Sequence, residues 1–301
     1  MSTIKTTFGR RSFLKSSAMV GGGLMLGFSW LASCEYTTEA EVLAMPEEWF
    51  EINSYLKIGE NGVVTIYTPN PEFGQNVRTS MPMLIAEELD TDWKNVLVEQ
   101  APYHADKYGF QFTGGSQGIR SRWEPLRMAG ASARQMLREA AAQKWGVPVE
   151  EITTEVGMLQ HTSSGKSAGY GEMASASAAI TVPKEVELKA VKDFKIIGTS
   201  QKNVDGKSMI MGEPMFGMDY HKEGMLIAMI EHPPAFGLTL KSVDDTEVRT
   251  MPGIKDVITL KSYKDGFEKG GFDTNAFPEI VAIVGNSTWE VMQAKKRLKV
   301  T

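Results

Sequence analysis

Cysteine occurs once in this 301-residue chain, at Cys34, and histidine four times, at His104, His161, His221 and His232. Without a second thiol, no disulfide, thiolate zinc site or iron–sulfur cluster can be built within the chain. The histidines stand far apart, none at metal-motif spacing, so a protein-ligated metal is not expected. A long apolar run is also missing: the most hydrophobic stretch, Ala18 to Leu31, is too short for a membrane span.

Acidic residues are absent before Glu35, whereas Lys5, Arg10, Arg11 and Lys15 precede the apolar stretch. That order of charge, apolar run and small residues is a signal peptide. Arg10-Arg11 directly before Ser12-Phe13-Leu14-Lys15 is the address of the twin-arginine export route. Gly21, Gly22 and Gly23 keep its apolar part weakly helical. Leu31-Ala32-Ser33-Cys34 then matches a lipoprotein processing site. The expectation is cleavage after residue 33, acylation of Cys34, and tethering on the periplasmic side of a bacterial membrane, where several acyl chains suffice for stable anchoring.

Removal of 33 residues leaves 268, with 28 basic against 37 acidic side chains and a formal charge near −9. Such a balance opposes a nucleic-acid partner. Twin-arginine export carries folded proteins, which is consistent with a cofactor inserted before export. Because no ligand set for iron or copper is present, that cofactor would rest on backbone groups and neutral side chains.

Along the mature chain, residues 34–50 read as a polar tether. Leu56, Ile58, Val63, Thr65 and Tyr67 around Asn61-Gly62 predict a hairpin. Pro69 and Pro71 bracket a sharp loop, after which Thr79 or Ser80 can cap a helix through Leu89. Val96 to Glu99 reads as a strand, and an aromatic segment from Tyr103 to Phe112 leads to Gly114-Gly115-Ser116-Gln117-Gly118. The glycines allow a tight turn that gathers backbone N–H groups. A long helix follows, with Pro125 in its first turn, small residues on its buried stripe, and a stop at Gly146.

Two short strands about Gly157 and a small-residue helix near Gly171 to Ala178 come next. The composition turns charged and connective from Pro183, placing a boundary near 190. Beyond it, strands at Gly224 to Glu231, Ile254 to Leu260 and Glu279 to Val284 alternate with helices at Asp244 to Thr250 and from Ser287 to Leu298. The fold class is therefore α+β, in two domains spanning 51–190 and 191–301.

At this level of detail the sequence resembles the xanthine dehydrogenase and aldehyde oxidase family, in the N-terminal part of its molybdopterin-binding large subunit and specifically the exported isoquinoline 1-oxidoreductase type. The likeness runs through Pro71-Glu72-Phe73-Gly74-Gln75, Met83 to Asp90, Gly114-Gly115-Ser116, Arg120 and Trp123 to Arg127. A second block, Gly212-Glu213-Pro214, Phe216 to Asp219, Pro252-Gly253-Ile254 and Trp289, resembles the family's small hammerhead α/β domain. The resemblance implies a partial molybdopterin-binding domain followed by a hammerhead-like one. It further implies a molybdenum–molybdopterin dinucleotide, of the cytosine form, shared with another chain.

By the same resemblance Gln75, with the backbone of Gly74, lies beside the metal-bearing pterin. Gly114, Gly115, Ser116 and Arg120 would handle the dinucleotide phosphates. Asn76 stands where the family often has glycine. The implied partners are a chain with the remaining cofactor-binding domains, a small subunit with [2Fe-2S] clusters, and a cytochrome c acceptor. The family's catalytic glutamate has no counterpart here: Glu72, Glu87 and Glu213 each read as a capping, surface or turn carboxylate. A noncatalytic membrane-anchored scaffold derived from the family is the alternative.

Overall fold

The computed structural model describes residues 43–264, 266–268, 270 and 277–301. The twin arginines, the apolar stretch and Cys34 lie outside the described residues. The chain divides into two compact units, the first running to Met211 and the second covering Gly212–Thr301.

In the first unit, strands β1 (Trp49–Asn53), β2 (Leu56–Gly59), β3 (Val64–Thr68) and β4 (Val96–Gln100) form one open sheet in that order. β2 and β3 are the antiparallel hairpin expected, turned at Gly62 with φ of 86°. Its inward face differs from the alternation read in the sequence. Leu56 pairs with Ile66 and Ile58 with Val64, and these four form the buried row, so Val64 and Ile66 rather than Val63, Thr65 and Tyr67 set the phase. With a side-chain period of two, a one-residue change in register exchanges the faces of the strand.

β3 and β4 are parallel, joined through helix α1 (Val77–Leu89), and form a β-α-β crossover. The helix starts before the caps expected at Thr79 or Ser80. Its N-cap is Asn76, in the left-handed region with φ of 72° and without a side-chain cap bond. Thr79 and Ser80 instead donate hydroxyls to Asn76, at 2.8 Å to Oδ1 and 3.2 Å to the carbonyl.

Helix α2 (Gly118–Trp145) lies against α1 and ends at Gly146, which is left-handed with φ of 68°. It begins a full two turns before Pro125, which therefore sits inside the helix rather than in its first turn. Packing of Ile119 and Trp123 on the main core holds that early part helical despite the amide proton lost at the proline. A Cβ at Gly130 would overlap the carbonyl oxygen of Ile85, so the small-residue stripe does permit the close helix approach its composition predicts.

A small antiparallel sheet, β5 (Thr153–Glu155), β6 (Met158–His161) and β7 (Lys166–Gly169), leads into helix α3 (Tyr170–Ala178). Residues 183–211 remain within this unit. Glu87 is fully buried. Its Oε2 accepts the backbone N–H groups of Lys195, Ile196 and Ile197 at 2.9, 2.6 and 3.0 Å. Beside it Glu88 accepts Arg127 Nε at 2.8 Å and Lys189 N–H at 3.0 Å, while Lys189 Nζ lies 2.8 Å from Asp90. These bonds fasten segment 189–197 to the end of α1.

A six-residue helix, α4 (Gly206–Met211), closes the first unit. The second holds β8 (Ile227–Glu231), β9 (Val243–Asp244), β10 (Ile254–Lys261), β11 (Glu279–Gly285), helix α5 (Thr288–Lys295) and β12 (Lys299–Val300). Its main sheet has the order β10-β11-β8, antiparallel throughout. Ser287 caps α5 by accepting Glu290 N–H at 3.3 Å. The helix expected over Asp244 to Thr250 is only a 3-10 turn at Val248–Thr250, because Val243 and Asp244 are drawn into strand pairing with β12. The architecture is α+β with open sheets.

Two outcomes test this packing. Gly130→Ala forces the Ile85 backbone aside and should lower unfolding free energy by about 1–3 kcal/mol; a denaturant midpoint unchanged from wild type would refute the close contact. Burial raises the Glu87 pKa, but the three backbone donors and Lys189 outweigh it and hold the carboxyl below the usual range. A depressed folded-state pKa means that Glu87 stabilises the fold above the ordinary glutamate value of about 4.3 and loses that effect as pH falls through its folded value. Glu87→Gln should therefore cost about 3 kcal/mol at neutral pH, with the gap from wild type narrowing in acid. A gap constant from pH 7 to 3 in urea titrations would contradict this.

Candidate functional site

Parallel strands β3 and β4 deliver two loops to one edge of the sheet, the carboxyl end where open α/β sheets place ligands. The first loop, residues 69–76, runs into α1, and the second, residues 101–117, runs into α2. They are stitched together before either helix begins. Asn70, almost fully buried, donates Nδ2 to the Phe112 carbonyl at 2.6 Å, and Thr113 Oγ1 donates to the Pro71 carbonyl at 2.8 Å. Gln111 Nε2 reaches the carbonyls of Pro69 and Pro102, both at 3.0 Å.

Arg122, one turn into α2, is the central clamp. Its guanidinium donates to Asn70 Oδ1 at 3.0 Å, the Tyr108 carbonyl at 2.9 Å and the Phe110 carbonyl at 2.7 Å. One side chain thus fixes both loops relative to α2. Nothing in the motif reading singled it out. The available signal was its spacing, three residues after Ile119 and four before Leu126, which puts a cation on the buried side of the helix.

Within the first loop the donors are already occupied. Glu72 accepts N–H groups from Gly74 at 2.7 Å, Asn76 at 2.9 Å and Arg78 at 3.1 Å. Partial burial pushes this carboxyl up, yet the backbone donors of Arg78, Asn76, Gly74 and Gln75 together bring it below the usual range. Glu72 is therefore a capping carboxylate, one of the ordinary roles open to it in the sequence, and it neutralises the positive end of α1. Gln75 is exposed and folds back on its own loop: Oε1 accepts Phe73 N–H at 2.7 Å and Nε2 donates to the Pro71 carbonyl at 3.0 Å. Gly74 has φ of 105°, a conformation that requires glycine.

The second loop has the opposite character. Gly115 and Ser116 are consecutive left-handed residues with φ of 57° and 58°, closed by a Gln117 N–H bond to the Gly114 carbonyl at 3.1 Å. This is the pattern of a type I′ turn. Serine in that region costs about 1 kcal/mol or more. No side-chain bond caps α2 at Gln117, and the dipole of a 28-residue helix lies behind this turn. Gly115, Ser116 and Arg120 are exposed there. Gly114 is confined, since a Cβ would strike the Phe112 ring. Of the residues expected to act together, Gly114, Gly115, Ser116 and Arg120 share one helix entrance, and Gly74 and Gln75 lie on the adjoining loop.

The two loops thus differ: the first is internally bonded through Glu72 and Gln75, and the second exposes a left-handed turn beside Arg120. Among the described residues there is no group of three histidine, cysteine, aspartate or glutamate side chains placed to hold a metal, and no helix is long and apolar enough to cross a membrane. A cavity of about 720 Å³ lies elsewhere in the first unit, between α2 and residues 183–193. Among its cations, Arg138 donates to the Ile152 and Val149 carbonyls at 2.8 and 2.9 Å, and Lys189 pairs with Glu87 and Asp90.

Comparison with known proteins gives a match of residues 20–230 to the molybdopterin cofactor-binding domain model. The chain is similar to the beta subunit of isoquinoline 1-oxidoreductase from Brevundimonas diminuta, 31% identical over 82% of this chain and 35% of that protein. It is also similar to the membrane-bound aldehyde dehydrogenase [pyrroloquinoline-quinone] of Gluconacetobacter polyoxogenes, 28% identical over 83% of this chain and 32% of the relative. A nicotinate dehydrogenase subunit of Pseudomonas putida matches at 26% identity, over 71% and 18% respectively. The chain thus spans about a third of the length of the first two relatives. Quinoline 2-oxidoreductase from Pseudomonas putida 86 superposes on 40% of the chain at 22% identity with a TM-score of 0.34, a likeness too slight to carry an argument.

Removing the clamp should loosen both loops without unfolding the core. In Arg122→Ala, amide hydrogen exchange at residues 109–113 and 69–73 should accelerate by about tenfold or more, as a charge-assisted bond is worth about 1.5–3 kcal/mol. Arg122→Lys, which cannot span three acceptors with a planar fork, should restore little. Unchanged protection in both variants would show that the loops are held by other means.

Proposed function

Because the chain belongs to the molybdopterin cofactor-binding domain family, we propose that it supplies one side of a molybdenum–molybdopterin dinucleotide site in a split oxidoreductase. The observation that supports this reading is the pairing of the two loops by Asn70, Thr113 and Arg122 at the end of a parallel strand pair. In this reading the left-handed turn at Gly115 and Ser116, the open first turn of α2 and the Arg120 guanidinium hold the dinucleotide phosphates. Gln75 and the Gly74 backbone lie on the adjoining loop, and to contribute uncharged amide groups beside the pterin they exchange their present bonds to Phe73, Pro71 and Glu72 for bonds to the cofactor. Backbone and neutral donors suit a large anionic cofactor in a chain with no metal-binding cluster among its described residues.

When bound, the cofactor supplies hydroxylation of an aldehyde or N-heteroaromatic carbon with water as the oxygen source. The relatives' names, an isoquinoline oxidoreductase subunit, a nicotinate dehydrogenase subunit and an aldehyde dehydrogenase, are the basis for those substrate classes. No general base is assigned to this chain. Glu72 is spent on capping and Glu87 on the 195–197 backbone, so the base falls to the polypeptide that completes the site. A small [2Fe-2S] subunit and a cytochrome c would carry the electrons away. Export by the twin-arginine route and acylation at Cys34 would set the assembly on the periplasmic face of a membrane.

A noncatalytic scaffold is the second reading, favoured by one observation. Glu72 already fills the anion position at the start of α1, so only one of the two loops has donors to spare. Metal and pterin analysis of the native membrane assembly, isolated through a tag on this chain, separates the two readings. The expected result is molybdenum and pterin in equal amounts, with this chain's intact mass beginning at an acylated Cys34. An assembly with neither, or with pyrroloquinoline quinone in their place, would overturn the enzymatic reading.

A further inference from the structure

β11 is apolar on both of its faces. In an antiparallel sheet with one face in water, apolar and polar residues alternate along each strand, whereas a strand covered on both sides reads as a continuous apolar run. Glu279–Gly285 reads Glu-Ile-Val-Ala-Ile-Val-Gly, the second pattern. One face has its cover: Val257, Val281 and Ile283 pack in a buried cluster with Val291 and Ala294 of α5, and Met229 joins them.

The other face follows from the register. Leu260 pairs with Ile280, Ile258 with Ala282 and Ala282 with Ile230, and Val284 with Ala228. These side chains point away from the α5 layer because the strand period is two. They form adjoining apolar rows across all three strands, bounded at one corner by Asp256, which Arg249 engages at 2.8 Å. Ile230 and Ile258 are each 38% exposed and Leu260 44%. Contiguous apolar surface with a polar margin marks an interaction site, whereas scattered apolar residues do not.

We propose that this face is the seat of the polypeptide completing the assembly, the one corresponding to the two thirds of relative length that this chain does not span. The inference rests on the reading above that a second chain completes the site, and it identifies where that chain docks. Three relatives carry the matched region within much longer proteins, of which it makes up 35%, 32% and 18%. A strand patterned for burial on both faces, which among the described residues of the second unit packs in a buried cluster on its α5 side, fits a chain whose remaining cover lies in the rest of such a protein. The surface is uncharged and apolar, so it fits a packed protein layer and not an anionic ligand or nucleic acid.

The test places a photoreactive benzoylphenylalanine at Ile258 in the full chain, and separately at Trp289, which is exposed on α5, within the native assembly. Irradiation at 258 should yield a cross-link whose partner peptides, identified by mass spectrometry, align with the relatives outside the region matched here; position 289 should give at least about fivefold less. A cross-link from 258 only to this chain itself, or none, would overturn the proposal. As a second measurement, Ile258→Asp with Leu260→Asp should leave the melting temperature and circular dichroism of the isolated chain unchanged while reducing co-purification of that polypeptide more than about tenfold. Retained co-purification would overturn it as well. Molybdenum and pterin are measured in the same preparation. Their presence without the cross-link refutes the docking face alone, and their absence refutes the functional reading on which it rests.

Discussion

Helix α2 lies close to α1 because residue 130 has no side chain. That contact sets the geometry of everything around the loops. α1 connects the parallel strands β3 and β4, and α2 begins where the second loop ends, so the distance between the two helices fixes how the loops meet. A side chain at 130 would separate the helices at the Ile85 carbonyl, and Arg122, two turns earlier on α2, would no longer span Asn70, Tyr108 and Phe110 at hydrogen-bond distance. Close packing of this kind transmits displacement, because protein interiors are nearly incompressible.

The opposite end of α1 carries an electrostatic cost that the rest of the unit offsets. Glu87, Glu88 and Asp90 crowd a helix C-terminus, where the dipole already disfavours negative charge. Glu87 and Glu88 are also buried. Stability comes from supplying each oxygen with donors: Arg127 and Lys189 side chains, and the amides of residues 189 and 195–197. The charged stretch after Pro183, connective by composition, is therefore the complement of a buried acidic cluster, which explains why the first unit extends past the composition change near 190.

Much of this was legible in the sequence. The hairpin at Asn61-Gly62, the glycine stop at 146, the strands at 254 and 279 and the serine cap at 287 follow from local rules acting over a few residues. The first loop was visible from the prolines at 69 and 71 that bracket it, and the second because tight turns select glycine. What sequence concealed was long in range. Arg122 and Asn70 are 52 residues apart, and Glu87 and Ile196 are 109 apart; no periodicity records such pairs. The misplaced start of α2 has the same origin, since Pro125 argues for a helix beginning near it while tertiary packing of Ile119, Arg122 and Trp123 extends the helix before it. β9 and β12 were missed because a two-residue ladder has no pattern to read.

In a net-acidic chain, positive potential comes only from local fields, and the two helix starts show how differently those can be arranged. At α1 the chain brings its own carboxylate, Glu72, whose depressed pKa reflects how fully the loop amides are committed to it. At α2 no side chain takes that place, and a strained left-handed serine next to Gly115 turns the backbone ahead of an uncapped 28-residue helix. Strain of about 1 kcal/mol or more persists where surrounding structure enforces it, and here the turn is closed by the Gln117 N–H bond to the Gly114 carbonyl. The same sheet edge thus has one helix entrance that is electrostatically closed and one that is open, and the open one is where an incoming phosphate meets the least competition from the protein's own charge.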